Sequence, residues 1–572
     1  MAQSAYRRRG GLSAALMMHI NKLAPIFVAL LCGCSNGTRS RAFDEMTQAA
    51  AATIDGQLMQ SIVAELAADN YGGRGPGTDG DRMAREYLAA NLEELGFESG
   101  AAGGRWDQPF ALIGIGASQP SSWTFFSSSN QLELAQSEQF IVSSGVQSER
   151  AELIDNELVF VGFGIEAPEY DWDDYKGIDV SGKVLLMLNN DPDWDPELFA
   201  GNERLYYGRW TYKYESAARH GAVGAIIIHT TASAGYPWQV VETSWSGEQF
   251  ELPAEDEPRI QVSAWVTEEA AQRLVGLAGR ELSDLVAAAR SRDFSPIDLG
   301  ITTSLSLDNS ISKTQTANVI GVLHGRDPEL ANEFVIYTAH HDHLGTIESN
   351  VTVDDKIYNG ARDNASGVGM VMSIGRAFAS LPVRPRRSIM LLFVGAEEQG
   401  LLGSQYYATY PTVARGRIAA NVNFDSGNIW GSTRDITFVG LGKSSLDTVA
   451  RRVAEYQGRE LKPDQFPDRG AFYRSDQFNF AKIGVPAFYF RGGTEFIGRP
   501  DGWGEARIND YTDQHYHQPS DEFSNDWEFD GMIDDARFGF WAGLIVANAS
   551  NLPAWNPGDE FVAARRSALE DL

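Results

Sequence analysis

Several apolar runs in this chain end in imidazole or carboxylate groups. His340-His341-Asp342-His343 follows the run 334–339, and Asp363 sits in Gly360-Ala361-Arg362-Asp363-Asn364-Ala365-Ser366-Gly367, ahead of a helix-spaced stretch. Glu397 and Glu398 come just after the run 388–394, Asp425 closes the run 419–424, and His517 lies in the polar segment Tyr516-His517-Gln518-Pro519-Ser520-Asp521. Zinc takes imidazole and carboxylate ligands at about 2.0–2.2 Å, and a catalytic zinc keeps one position for water. Two such ions about 3.5–4 Å apart share an activated hydroxide and stabilise the charge developing on a peptide carbonyl. A carboxylate, with one oxygen for each cation, suits the position between them. The set holds enough donors for two metals and a spare carboxylate to act as base.

Groups so far apart in sequence meet only if the intervening elements bring them together. The runs 334–339, 388–394, 419–424 and 485–490 read as buried strands. Residues 366–381 read as a helix with Val368, Val371, Ile374, Phe378 and Leu381 on one face. Strand–helix alternation over 301–551 predicts an α/β fold, a mixed sheet sandwiched by helices, and such sheets collect ligands at the carboxyl ends of their strands. Upstream, 41–96 reads as helices around the turn Gly72-Gly73-Arg74-Gly75. From 123 to 300 the pattern turns β-rich, with acidic loops such as 191–196 and a helix at 213–220 feeding a buried strand at 222–229.

Each residue also has a plainer reading. His341 and His343 are expected to pack or hydrogen-bond nearby rather than to ligate. Asp363 could serve as a helix N-cap, but Asn364 and Ser366 are at hand for that. Asp425 ends an apolar strand, where a charge is costly unless paired, and a metal would offset the cost. Arg474 reads as a surface ion pair or a substrate-backbone contact, and Asp521 as a support for His517 or a turn cap.

The chain has 572 residues, too many for one ordinary domain, with 43% apolar and 22% charged residues. Its formal net charge of −30 argues against nucleic acid, which requires clustered Lys and Arg. The two cysteines, Cys32 and Cys34, both lie near the N-terminus, so no disulfide framework is expected in the body. Arg7, Arg8, Arg9 and Lys22 precede the apolar run 23–32, which is too short to span a bilayer but fits a signal peptide. It ends in Leu31-Cys32-Gly33-Cys34, similar to the lipobox of bacterial lipoproteins. That resemblance implies export, a lipid on Cys34 and anchorage to the cell envelope, at the outer membrane or facing the periplasm.

Ala339-His340-His341-Asp342, Asp363-Asn364-Ala365-Ser366-Gly367, Ala396-Glu397-Glu398, Asn423-Phe424-Asp425 and Tyr516-His517 together resemble the co-catalytic di-zinc aminopeptidase family, which includes bacterial leucyl aminopeptidases and plasma glutamate carboxypeptidase. The block 123–300 resembles the protease-associated domain inserted in several exopeptidases. The resemblance implies a zinc-exopeptidase-like α/β fold with a signal segment at 1–34, the peptidase domain at 41–122 and 301–555, the insert at 123–300 and a C-terminal tail at 556–572. It implies two zinc ions, one on His340 and Asp425, the other on Glu398 and His517, with Asp363 between them. It makes Glu397 the general base acting on a metal-bridging hydroxide, Asp342 the support of the other nitrogen of His340, and Tyr516 the group that stabilises the oxyanion. A cis peptide after Asp363 is also implied. Substrates would be peptides cleaved at the N-terminus. A related di-zinc carboxypeptidase or dipeptidase, a single-zinc glutaminyl cyclase and a non-catalytic receptor-like binding protein are the alternatives.

Overall fold

The computed structural model describes residues 44–195, 198–245, 247–255, 257–346 and 355–572. The expected export segment and Cys34 lie outside the described residues. The strands Phe334–His340, Ser388–Val394 and Ile418–Asn423 are buried along their whole length, as continuous apolar runs of a parallel sheet should be. Ser388–Val394, Phe334–His340, Ile418–Asn423 and Ala487–Gly492 pair in that order, all parallel. His340 lies opposite Val394, Thr338 opposite Asn423, and Asn423 opposite Tyr489. Four carboxyl ends therefore open on one edge. Antiparallel strands extend the sheet on both sides, Ile297–Leu323 beside Ser388–Val394 and Asp435–Val439 beside Ala487–Gly492.

Alternation along a strand sends successive side chains to opposite faces. Val335, Tyr337 and Ala339 join a core with the helices Gly56–Leu66, Ser366–Ser380 and Asp530–Asn548. Phe334 and Ile336 face the other way, onto Tyr407 and Phe480, from the helices Leu402–Thr409 and Gln477–Lys482. The helix Ser366–Ser380 buries the stripe expected of it: Val368, Val371, Ile374 and Phe378 are fully enclosed, each worth about 1.5–3 kcal/mol of burial. Helix Asp530–Asn548 packs on the sheet through Gly543, where a Cβ would sit 1.7 Å from the Tyr337 hydroxyl. Any larger residue there would force the layers apart.

The region 122–300 builds a second sheet. Val184–Leu188, Gly224–His229 and Val262–Thr267 run parallel, with Phe140–Ser144 antiparallel on one flank and Arg150–Phe160 on the other. The strand Ile297–Leu323 belongs to both sheets. Its first half pairs with Arg150–Phe160, and its second half with Asp107–Ala117 and Ser388–Val394. Burial along it changes from alternating to continuous at 316–323, matching the change from a half-exposed to an enclosed sheet. Residues Ala42–Leu572 form one compact unit. The stretch read as a tail carries the helix Val562–Glu570, whose Arg565 donates to the Ile418 carbonyl at 3.0 Å. Among the described residues no helix is long and apolar enough to cross a membrane.

Candidate active site

His340 ends its strand and Asp425 follows the neighbouring one, so parallel register delivers both to the same edge. His340 Nε2 lies 3.2 Å from Asp363 Oδ1, 3.6 Å from Asp425 Oδ1 and 3.9 Å from Glu397 Oε2. His517 Nε2 lies 2.9 Å from Glu398 Oε2 and 3.6 Å from Asp363 Oδ2. The two oxygens of Asp363 thus face different imidazoles. The six residues His340, Asp363, Glu397, Glu398, Asp425 and His517 form one buried or half-buried cluster.

Four carboxylates packed around two imidazoles make a site short of positive charge. Burial disfavours charging the imidazoles, yet the carboxylates outweigh it. Glu398 and Asp363 push His517 up to about 10, and Glu397, Asp363 and Asp425 push His340 well above its ordinary value. Burial, reinforced by Glu398 and Asp425, pushes Glu397 well above the carboxylate range. Despite these short distances, Nε2 of His340 and Nε2 of His517 are buried with no aligned hydrogen-bond partner. Three donor sets, His340/Asp363/Asp425, His340/Glu397/Glu398 and His343/Asp363/Glu398, lie within 4.8 Å. Unpaired imidazole lone pairs amid carboxylate oxygens fit divalent metal.

Local backbone structure explains how the donors are aimed. The Asp363–Asn364 peptide is cis, as the resemblance implied. Asn364, not Asp363, caps the following helix: its Oδ1 accepts from Gly367 N and Ser426 N, each at 3.0 Å, and its Nδ2 donates to Phe424 O. One side chain therefore ties the Asp363 turn to the Asp425 turn. Asp521 supports Asp363 rather than His517, accepting from Arg362 N at 3.1 Å and from Asp363 N at 3.0 Å. Ala396, Ser426 and His517, each a donor or next to one, have φ of +57°, +69° and +57°. That left-handed backbone costs a non-glycine residue about 1–2 kcal/mol and collects at functional sites.

Asp342 sits differently from expectation. Its carboxylate is 3.8 Å from His340 Nδ1, which lies 3.3 Å from the Asp342 carbonyl instead. The carboxylate accepts from the amides of Glu397 at 3.0 Å and Glu398 at 3.3 Å, so it fixes the turn that presents both glutamates. His341 turns to the opposite face and meets Ala317 O at 3.1 Å. His343 places Nδ1 2.7 Å from Glu398 Oε1, leaving Oε2 for His517.

The ring of Tyr516 lies 3.9 Å from that of His517, and its hydroxyl accepts from Arg474 at 3.4 Å. Tyr516, Glu397 and Glu398 line both a cavity of about 120 Å³ and a cleft of about 660 Å³ that continues between the two sheets. Beyond the strand Ala487–Gly492 the chain leads into the helix Trp503–Gln514. Phe496 and Tyr511 reach the smaller cavity, while Trp503 packs on Phe496 at 5.1 Å and does not. Sequence reasoning missed two further groups. Arg74, 1% exposed, donates to carbonyls of His341, Asn359 and Gly360, clamping two of the donor loops. Ser244, from the helix Trp238–Ser244 of the second sheet region, lies 2.7 Å from His517 Nδ1.

The architecture is a mixed α/β sheet flanked by helices, with imidazole and carboxylate donors at its carboxyl edge. The aminopeptidase from Aneurinibacillus sp. strain AM-1 shares this fold, with a TM-score of 0.52 at 18% identity over 88% of this chain and 97% of that one. Residues 318–537 match the model of peptidase family M28. Leupeptin-inactivating enzyme 1 of Streptomyces exfoliatus is 26% identical over 248 residues, covering 42% of this chain and 51% of the relative. A probable leucine aminopeptidase 2 of Aspergillus fumigatus is 26% identical over 285 residues, covering 47% and 52%. The chain spans about half the length of these curated relatives.

Proposed function

We propose that this chain is a zinc-dependent aminopeptidase with a two-metal site. The carrying observation is that His340 Nε2 and His517 Nε2 are buried without aligned partners on either side of one carboxylate, Asp363. His340 and Asp425 would hold one ion, Glu398 and His517 the other, with Asp363 shared. His343, on the second oxygen of Glu398, holds that carboxylate in place. When bound, the ions supply Lewis acidity and lower the pKa of water.

The remaining steps fall to the protein. Glu397, beside His340 and open to both cavities, takes a proton from the attacking water and returns it to the leaving amine. Tyr516, with its hydroxyl on Arg474, donates to the oxygen on which negative charge develops. The second sheet region, read as a protease-associated insert, walls the cleft and limits the site to chain ends. Export with a lipid on Cys34 rests on the sequence alone, and Cys34→Ser should move the protein from the membrane fraction to the soluble one.

The main test combines zinc content with hydrolysis of a panel of aminoacyl amides before and after chelation. Two zinc ions per chain, with N-terminal cleavage lost on chelation and restored by zinc, support the reading. One ion per chain with cyclisation of N-terminal glutamine, or full metal with no turnover on any peptide, overturns it.

A further inference from the structure

The smaller cavity beside the donors is walled by four arginines, Arg362, Arg469, Arg474 and Arg491, unexpected in a chain of net charge −30. Five carboxylates share that wall: Asp363, Glu397, Glu398 and Asp425 of the donor cluster, and Asp464. Once cations neutralise the donor cluster, only Asp464 stands against four positive charges.

Two of the arginines have structural employment. Arg362 donates to Gly427 O at 3.0 Å and lies 4.1 Å from the Tyr511 ring centre. Arg469 donates to Asn509 at 2.6 Å and stacks 4.1 Å over Phe466. The other two are scarcely engaged. Arg474 has one hydrogen bond, 3.4 Å to the Tyr516 hydroxyl, and lies 5.1 Å over the Tyr236 ring. Arg491, at the carboxyl end of the strand Ala487–Gly492, lies 5.5 Å over the Tyr489 ring. Neither guanidinium forms an ion pair among the described residues. They are also near enough to oppose each other's charge. A third cation, Arg209, reaches the adjoining cleft from the second sheet region with its Nε buried and unpartnered.

Arginines on aromatic rings often serve only to fill space. Two half-buried guanidinium groups in the wall of the cavity that holds the reactive carboxylates, neither in a close ion pair and Arg491 meeting Asp425 and Asp464 only at longer range, are placed for an incoming anion. The planar fork of a guanidinium matches a carboxylate through two parallel N–H···O bonds. A cavity of about 120 Å³ has room for one short side chain rather than a long or bulky one.

Resting on the aminopeptidase reading above, we propose that Arg474 and Arg491 bind a substrate carboxylate next to the cleaved bond, making acid-bearing peptides the preferred substrates. That carboxylate comes either from an acidic N-terminal side chain or from the free α-carboxylate of a dipeptide.

The test uses the zinc-loaded full chain and two matched pairs of compounds. For hydrolysis, glutamyl and glutaminyl anilides report the side-chain source, and leucylalanine with its amide reports the α-carboxylate. The acid member of at least one pair should be favoured about tenfold or more in kcat/KM, a ratio that corresponds to one charge-assisted contact. In Arg474→Gln and Arg491→Gln that ratio should collapse towards one. Cleavage of both members of each pair at equal rates would overturn the proposal and leave the peptidase reading standing. A second measurement is independent of turnover: thermal protection by glutamic acid α-amide against glutaminamide, and by leucylalanine against its amide. Greater protection by an acid member, lost in both arginine variants, supports the proposal; equal protection overturns it even if no peptide is cleaved.

Discussion

Replacing Ser244 with alanine removes the hydroxyl 2.7 Å from His517 Nδ1, its one polar partner there among the described residues. With Nε2 turned to Glu398 and Asp363, Nδ1 carries the proton and donates it to the serine. This fixes both tautomer and ring orientation, as the outer partners of metal-bound histidines generally do. His517 is 7% exposed, so water replaces the lost partner poorly, and an unsatisfied buried donor costs about 1–3 kcal/mol. Loss of such a partner weakens metal binding about 10–100-fold, equivalent to about 1.4–2.7 kcal/mol. Competition against a chromophoric chelator at fixed pH should show the weaker of two zinc affinities falling by that factor in Ser244→Ala. It should largely recover in Ser244→Thr, which keeps the hydroxyl. Wild-type zinc affinity in the alanine variant would refute the reasoning and leave the Tyr516 ring, 3.9 Å away, as what holds His517.

Glu397→Gln should keep the zinc content of the parent while turnover falls about 10²–10⁴-fold; parent-like turnover would remove Glu397 as the base. Arg74→Met should destabilise the fold by about 3 kcal/mol in urea titration, because carbonyls of His341, Asn359 and Gly360 lose a buried donor together. Chelated protein should lose thermal stability as pH rises from 6.5 towards 10. Although burial opposes it, the carboxylates raise His517 from 6.5 to about 10, so the folded state holds a proton that the unfolded state releases. That contribution is complete below pH 6.5 and gone above pH 10. Zinc should flatten the profile by taking the proton's place, and a flat profile in chelated protein would count against the carboxylate cluster as described.

His340, Glu398 and Asp425 were legible because they stand at or just beyond apolar runs whose strand character is unmistakable. His340 follows six buried positions, and Asp425 stands two residues beyond a fully buried strand. Local chemistry also settled the division of labour at 363–366, where Asn364 takes the cap and leaves Asp363 free. What could not be read were partners remote in sequence. Ser244 and His517 are 273 residues apart, and Asp363 and Asp521 are 158 apart. Ser244 carries no periodicity or motif that singles it out, and Asp521, though noticed beside His517, gives no sign in the sequence that it serves Asp363. Asp342 was assigned the right neighbourhood and the wrong contact, because the main-chain carbonyl, which no sequence displays, lies closer to His340 Nδ1.

The ribbon Ile297–Leu323 hydrogen-bonds into both sheets without interruption between them. A hinge needs a few residues free to change their dihedral angles, and ladder bonds on either side deny them that freedom. The two halves of the molecule therefore cannot swing apart as separate bodies, and the cleft between them keeps a nearly fixed width. The same stitching makes thermal or chemical unfolding of one sheet pull on the other, so that hydrogen exchange in the cores of both should slow and quicken together.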